Sequence, residues 1–152
     1  MRIEVTGTEQ LSKVAGAIAT FEPTLRKELL RGMRESAKPA IRHVKDAALR
    51  DFPAGGGLNK FAQKSAIGVR TRTSGKDAGV RIIALKKGHD VRAMDRGEVR
   101  HPLWGNRKHW YPQSVKPGFF TATLSGEGEQ VQVRMLEVMD ETLHAIGRKL
   151  PK

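Results

Sequence analysis

The sequence predicts a single α+β domain in which a small, mainly antiparallel sheet is packed by a long N-terminal helix and a C-terminal helix. Apolar residues recur at helical spacing over residues 23–51 and again over 125–149. Between them, two alternating, β-branched runs at 66–73 and 78–85 flank a Ser-Gly turn, which is typical of a β-hairpin. A length of 152 residues suits one domain, spanning 1–152.

The N-terminal third begins with a short predicted strand at residues 1–7, ended by Gly7. Thr8 is placed to cap a helix over residues 9–20. Pro23 suits the first turn of the next helix, which we expect to run to about residue 51. Pro39 has no backbone N–H, so this helix should kink or split near Ala37.

The long helix has two distinct faces. Its apolar face is predicted to pack on the core and comprises Leu25, Leu29, Met33, Ala37, Ala40, Val44 and Ala48. The opposite side carries six cations, here called the cationic stripe: Lys27, Arg31, Arg34, Lys38, Arg42 and Lys45. Such a stripe is either an ordinary solvated face or a surface for DNA or an acidic protein.

A glycine-rich linker at residues 53–57 leads into the predicted hairpin. On its first strand, Ile67, Val69 and Thr71 should share an apolar face, since successive strand residues alternate. The other face carries three arginines that can meet DNA or an acidic partner: Arg70, Arg72 and Arg81.

The remaining chain divides into a short helix, an aromatic segment and a final helix. The short helix is expected over residues 89–96, stopped by Gly97. A strand is predicted at 110–114, and Ser125 is positioned to cap the last helix, which runs to about residue 149. Its expected core stripe comprises Val131, Met135, Val138, Met139, Leu143 and Ile146.

The aromatic segment, residues 97–120, holds five of the eight Phe, Trp and Tyr residues and three of the seven prolines. Proline fixes φ, so we expect an ordered loop with short extended pieces rather than one regular element. Its large side chains are interpreted first as a seam between subunits. Two alternatives stay open, namely packing in the subunit's own core and stacking of nucleic-acid bases beside Arg107 and Lys108.

Charge is the strongest compositional signal. The formal net charge is +12, and residues 53–124 carry most of it, with 14 basic and 4 acidic side chains. This balance predicts a polyanionic neighbour, although a simply basic protein would share it. The chain has no cysteine, which excludes disulfides and thiolate sites, and no apolar run approaches a membrane span.

No catalytic constellation is predicted. His101, Asn106 and His109 superficially resemble an HNH nuclease, but they crowd one proline-rich stretch without a carboxylate for metal-assisted hydrolysis. A zinc site from His89, His101 and His109 would need a fourth ligand and a workable spacing. We therefore expect no enzyme activity, no cofactor and no metal.

The aromatic segment also resembles part of a known family. An Arg-His-Pro-Leu-Trp-Gly block, a later Trp, and Pro-Gly-Phe-Phe leading into a C-terminal helix are similar to the tail-completion, or head–tail joining, proteins of long-tailed double-stranded DNA bacteriophages. The order and length of the preceding elements extend this resemblance over most of the chain. The matching residues are Gly97, His101, Pro102, Gly105, Trp110, Pro117, Gly118, Phe119 and Phe120.

The resemblance implies a virion structural protein at the head–tail junction, made in the host bacterial cytoplasm. It implies a homo-oligomeric ring, with a hexamer the likeliest stoichiometry, on the head-proximal end of the tail around the DNA channel. Other neck and tail proteins, and the backbone of double-stranded DNA, are the expected partners. Residues expected at a subunit or partner interface are His101, Pro102, Trp104, Trp110, Tyr111, Phe119 and Phe120. The alternative from charge alone is a stand-alone, sequence-non-specific DNA-binding architectural protein.

Overall fold

Two consecutive helices form the N-terminal part of the computed structural model, which describes residues 1–6, 13, 23–55, 58–61, 67–72, 79–85 and 88–149. Helix α1 spans Pro23–Ser36 and α2 spans Lys38–Asp51. The predicted break near Ala37 is confirmed. Pro39 lies in the first turn of α2, where its missing N–H removes no helical hydrogen bond. The predicted helix over residues 9–20 lies outside the described residues apart from Lys13.

The break is mild enough to keep one buried face running along both helices. Ala37 retains near-helical dihedral angles of −87° and −12°, and its carbonyl accepts the Ile41 N–H at 3.1 Å. The predicted apolar face is confirmed for every member whose side chain is described: Leu29, Met33, Ala37, Ala40, Val44 and Ala48 are all buried.

A three-stranded antiparallel sheet covers this face. Strands β1 (Arg2–Thr6), β2 (Ile67–Arg72) and β3 (Gly79–Ala84) lie in the order β1-β3-β2, so the predicted hairpin is confirmed and gains a third strand at its far side. Its turn at residues 73–78 lies outside the described residues. Ile67 is buried with Val80 and Ile82, as alternation predicts.

The chain then forms a short helix, a second hairpin and the longest helix. Helix α3 spans Val91–Asp95, strands β4 (Glu98–Leu103) and β5 (Asn106–Ser114) pair antiparallel, and α4 spans Thr121–Lys149. The predicted strand at 110–114 is thus the end of a longer one. Helix α4 packs on α1, α2 and β1, which completes the predicted α+β architecture.

The start of α4 corrects the sequence prediction. The helix begins at Thr121, four residues before the expected cap, and Ser125 lies inside it, where its hydroxyl donates to the Ala122 carbonyl at 2.8 Å. The cap comes instead from Asp95 at the end of α3. Its Oδ1 accepts the N–H groups of Phe120 and Thr121 at 2.8 and 3.1 Å, and its Oδ2 accepts the Thr121 hydroxyl at 2.6 Å.

Helix α4 approaches α1 most closely at a glycine. A Cβ atom on Gly32 would lie 2.3 Å from Cγ1 of Val138, far inside van der Waals contact. Along α4, Val131, Met135 and Met139 are buried as predicted, whereas Leu143 is exposed. The side chain of Ile146 lies outside the described residues. No helix in the described ranges is long and apolar enough to cross a bilayer.

Candidate functional site

The β4–β5 hairpin, residues 98–114, is the most exposed element in the described part of the chain and is here called the aromatic arm. Every residue of β5 is exposed, and in β4 only Val99 and Pro102 are partly covered. Its contacts with the rest of the subunit lie mainly at α3, near its base. The prediction of an ordered loop with short extended pieces is corrected in extent: the extended pieces are two paired strands, and two prolines are accommodated in this ribbon, where N–H groups can face solvent.

The base of the arm is held by main-chain hydrogen bonds. Gly97, at φ +89°, accepts the Val115 N–H at 2.9 Å, and the Asp95 carbonyl accepts the Gly118 N–H at 2.7 Å. A Cβ on Gly97 would lie 2.6 Å from the Val115 carbonyl oxygen. Only glycine therefore allows these two segments of the backbone to approach so closely. The predicted helix stop at Gly97 is confirmed.

The tip of the arm is a tight turn followed by a bulge. Leu103 pairs with Asn106, whereas Pro102 pairs with Trp110, so residues 107–109 have no opposing residue on β4. The bulge is held from inside: Asn106 Oδ1 accepts the Lys108 N–H at 3.0 Å, and Trp110 Nε1 donates to the Arg107 carbonyl at 2.9 Å. Three polar or cationic side chains, Arg107, Lys108 and His109, are thereby presented beside the turn.

Three of the predicted interface aromatics are exposed on this arm. Trp104 at the turn is 96% exposed, and Trp110 and Tyr111 on β5 are 51% and 59% exposed. His101 is exposed and lies across the ribbon from Tyr111, with ring centroids 6.4 Å apart, while Pro102 is half-buried. Tyr111 and His101 lie on one face of the ribbon and Trp110 with Pro102 on the other, so the arm exposes aromatic groups on both faces and at its turn.

The prediction for Phe119 and Phe120 requires correction. They are 1% and 0% exposed, and Phe119 packs edge-on against Phe52 at a centroid distance of 4.8 Å. They therefore anchor the start of α4 in the subunit's own core and offer no surface to a neighbour. Of the readings left open for the aromatic segment, core packing holds for these two residues only.

A broad cleft of about 1430 Å³ opens between the arm, α3 and the segment around Leu58. Four cationic side chains line it, Lys60, Arg96, Arg100 and Arg107, together with the carboxylates Asp90 and Glu98. Asp90 is engaged in capping α3, and Glu98 approaches Arg96 at 3.5 Å. The sequence did not predict that these four cations line one cleft, although the excess of positive charge in residues 53–124 indicated a cationic surface in this part of the chain.

The cationic stripe lies on the outer side of α1 and α2. Five members are exposed and Lys45 is half-buried. Lys38 pairs with Glu35 at 2.6 Å, whereas the described part of the chain gives no ion-pair partner to the other members. Apart from Lys38, its members can therefore attract an anion without first breaking a salt bridge among the described residues.

The predicted hairpin arginines lie on one face of the sheet. Arg70 and Arg72 are exposed, Arg81 is half-buried, and Arg70 stands directly opposite Arg81 in the strand register. On its other side Arg81 stands opposite Glu4 of β1 in the strand register, and Arg70 and Arg72 are the exposed cations of this face. The arginines lie on β2 and β3, in a different sheet from the aromatic arm.

The nuclease-like residues do not converge on a catalytic arrangement. His101 lies on β4, Asn106 is occupied in the turn, and His109 is exposed in the bulge. Within the described ranges no three His, Asp or Glu side chains cluster in a way that could hold a metal ion. Comparisons of the whole chain with family models, curated proteins and solved structures find no match.

Proposed function

We propose that this chain is a virion structural subunit that completes the head-proximal end of a phage tail and joins it to the head around the DNA channel. The observation that carries the proposal is the aromatic arm, which projects two tryptophans and a tyrosine that its own subunit leaves uncovered. Exposed Trp and Tyr residues clustered on one element are typical of protein interfaces. The resemblance of residues 97–120 to the joining family supplies the biological setting.

The proposed mechanism is binding and sealing, with no chemical reaction. Each arm docks on a neighbouring protein, and repetition of that contact builds a ring, for which the resemblance implies a hexamer. The cationic stripe and Arg70, Arg72 and Arg81 face packaged DNA or acidic ring partners. Contacts with DNA would reach the phosphate backbone, without sequence choice.

Two measurements on the purified chain test this proposal. Native mass spectrometry should detect a cyclic oligomer, and electron microscopy of tails lacking this subunit should show it added at one end only. A chain that stays monomeric at high concentration and does not add to tail ends would contradict the proposal.

The cationic stripe, in which only Lys38 has an ion-pair partner among the described residues, favours a second candidate, a stand-alone DNA-binding architectural protein. This candidate predicts tight duplex binding by the isolated chain, weakening by about 0.9 log units per log unit of salt for each phosphate contact. Removing three exposed charges (Arg31→Ala, Arg34→Ala, Arg42→Ala) should then flatten the salt dependence, while Arg148→Ala near the C-terminus serves as control. The joining role predicts only feeble duplex binding before assembly.

A further inference from the structure

The turn at the tip of the arm carries an unfavourable residue. Trp104 and Gly105 form a two-residue connection with φ angles of +49° and +78°. Such a turn favours Asn and Gly, because both central residues need positive φ. A tryptophan there costs about 1–2 kcal/mol of backbone strain. Its indole is 96% exposed, so packing within the subunit does not offset this cost, whereas a contact outside the subunit would.

The surroundings of Trp104 are cationic. The bulge at residues 107–109 places Arg107 and Lys108 beside the turn, and both are exposed. Residues 99–114 contain no carboxylate, since the only acidic residue of the arm is Glu98 at its base. The tip thus combines one large apolar group with unpaired positive charge and should bind an apolar patch bordered by acids.

Helix α4 offers a surface with that complementary pattern. A shallow depression of about 370 Å³ on its outer side is lined by Glu129, Gln130, Val133, Arg134 and Glu137. Val133 is 50% exposed at its centre, and Glu129 and Glu137 lie one helical turn to either side. Neither carboxylate has an ion-pair partner within the described part of the chain.

Arg134 also lines this depression and has an incompletely hydrogen-bonded guanidinium group. Its Nη2 contacts the Gln130 side-chain oxygen at 3.4 Å, but its Nη1 is buried with no hydrogen-bond partner among the described residues. A buried guanidinium N–H without an acceptor is costly. Because Nη1 is closed to solvent, this unmatched donor does not by itself provide a contact for an incoming turn.

We propose that the arm tip of one copy docks in the α4 depression of a second copy. The inference rests on the proposed ring and names its contact: Trp104 covers Val133 of the partner subunit, and Arg107 and Lys108 approach the partner's Glu129 and the partner's Glu137. Because the arm and the depression are different surfaces, the contact is heterologous, the kind that builds a ring when the rotation between neighbouring copies closes. Both surfaces are exposed in the same subunit, so an arm does not fill its own depression.

Cysteine cross-linking tests this contact cleanly, because the chain has no cysteine of its own. Two singly substituted chains, Trp104→Cys and Val133→Cys, are mixed under mild oxidation, so any disulfide joining them is intermolecular by construction. We expect a strong heterodimeric cross-link between them. The control replaces Val133→Cys with Thr24→Cys on α1, which is also exposed and should cross-link weakly.

The outcomes separate this inference from the proposed function. An oligomer that gives the 104–133 cross-link supports both. An oligomer without that cross-link overturns the docking site and leaves the ring intact. A chain that remains monomeric by native mass spectrometry overturns both.

Charge exchange provides a second test that does not depend on disulfide formation. Lys108→Glu and Glu137→Lys should each weaken self-association by about tenfold or more, and combining them in one chain should restore it. Glu28→Lys, the same charge change on the exposed side of α1, is the control. Failure of the combined variant to recover association would overturn the pairing.

Trp104→Asn distinguishes loss of docking from loss of folding. The substitution suits the turn, so thermal unfolding should occur at the same or a higher temperature. Self-association should nevertheless fall by about tenfold or more, as expected for removal of an interface tryptophan. Association at the wild-type level would overturn the role of Trp104.

Discussion

The carboxylate of Asp95 and the hydroxyl of Thr121 are 2.6 Å apart, which joins the end of one helix to the first residue of another 26 positions further along the chain. Asp95 is buried, and its second oxygen also accepts two main-chain N–H groups from the start of α4. A helix begins with N–H groups that have no intrahelical acceptor, so the buried start of α4 depends on this side chain.

Replacing Asp95 should therefore destabilise the fold more than loss of an ordinary cap. Asp95→Ala removes three hydrogen bonds and leaves buried donors unsatisfied, so we expect a loss of about 3 kcal/mol in the free energy of unfolding. Thr121→Val removes only the hydroxyl and should cost about 1 kcal/mol. Urea unfolding followed by circular dichroism measures both.

Asp90 provides the matched control for this prediction. It caps α3 through the Arg92 and Ala93 N–H groups, but it is exposed. Asp90→Ala should cost about 1 kcal/mol, the usual value for a helix cap. Equal losses for the two variants would contradict the role assigned to Asp95.

Gly97 should be the more sensitive of two glycines with positive φ in or beside the arm. A Cβ at Gly97 would collide with the Val115 carbonyl, whereas a Cβ at Gly105 meets nothing within 4 Å. Gly97→Ala should lower the free energy of unfolding by about 3 kcal/mol, and Gly105→Ala by about 1 kcal/mol, which is backbone strain alone. Thermal unfolding of the two variants measures this difference, and a larger loss for Gly105→Ala than for Gly97→Ala would contradict the prediction.

Substitutions at Gly32 and Val138, which are in contact, should compensate each other in their effect on the free energy of unfolding. Alanine has the higher helix propensity by about 1 kcal/mol, but at Gly32 its methyl group overlaps Val138, and overpacking costs about 1–3 kcal/mol. We expect Gly32→Ala to be destabilising alone. In a Val138→Ala background the same substitution should become neutral or stabilising, and a double-mutant cycle of urea unfolding would measure the coupling. Strict additivity would be the contrary result.

Asp51 should contribute to the loss of folding stability at low pH. The Arg50 guanidinium donates to its carboxylate at 2.8 and 2.9 Å, and this contact, assisted by Lys116, lowers the pKa of Asp51 below its ordinary value of 3.8. The unfolded chain therefore takes up the proton first as the pH falls. The stability that Asp51 provides is present above about pH 4 and is lost as the pH falls through the lowered pKa of the folded state.

The corresponding experiment compares Asp51→Asn with the unaltered chain. Asp51→Asn should be less stable near neutral pH, and the gap in unfolding free energy should close as the pH falls below about 4. Asp46→Asn, on the exposed side of the same helix, is the control for the removal of one carboxylate near neutral pH. A gap for Asp51→Asn that widened with acid would refute the assignment.

The sequence predicted those parts of the fold that local rules determine. Pro39 lacks an N–H wherever it stands, so the break after Ser36 could be placed from the chain alone. Alternation likewise gave the faces of β2, with Ile67 buried and Arg70 exposed. Neither inference required knowledge of a distant residue.

The parts that could not be predicted depend on residues far apart in the chain. The cap of α4 comes from Asp95, so a nearby serine, Ser125, was the better local candidate and was wrong. Phe119 and Trp104 are both large aromatic residues of the same segment. Phe119 is buried in the core, whereas Trp104 is exposed to solvent. Only the tertiary packing around α4 distinguishes them.

The junction below the arm has a mechanical consequence. The Asp95 and Gly97 carbonyls hold the segment from Val115 to Gly118, immediately before α4 begins. The arm extends about 20 Å from this junction, as follows from the six residues of β4. A force applied at the tip of the arm is therefore transmitted first to the first turn of α4, and only afterwards to the three-stranded sheet.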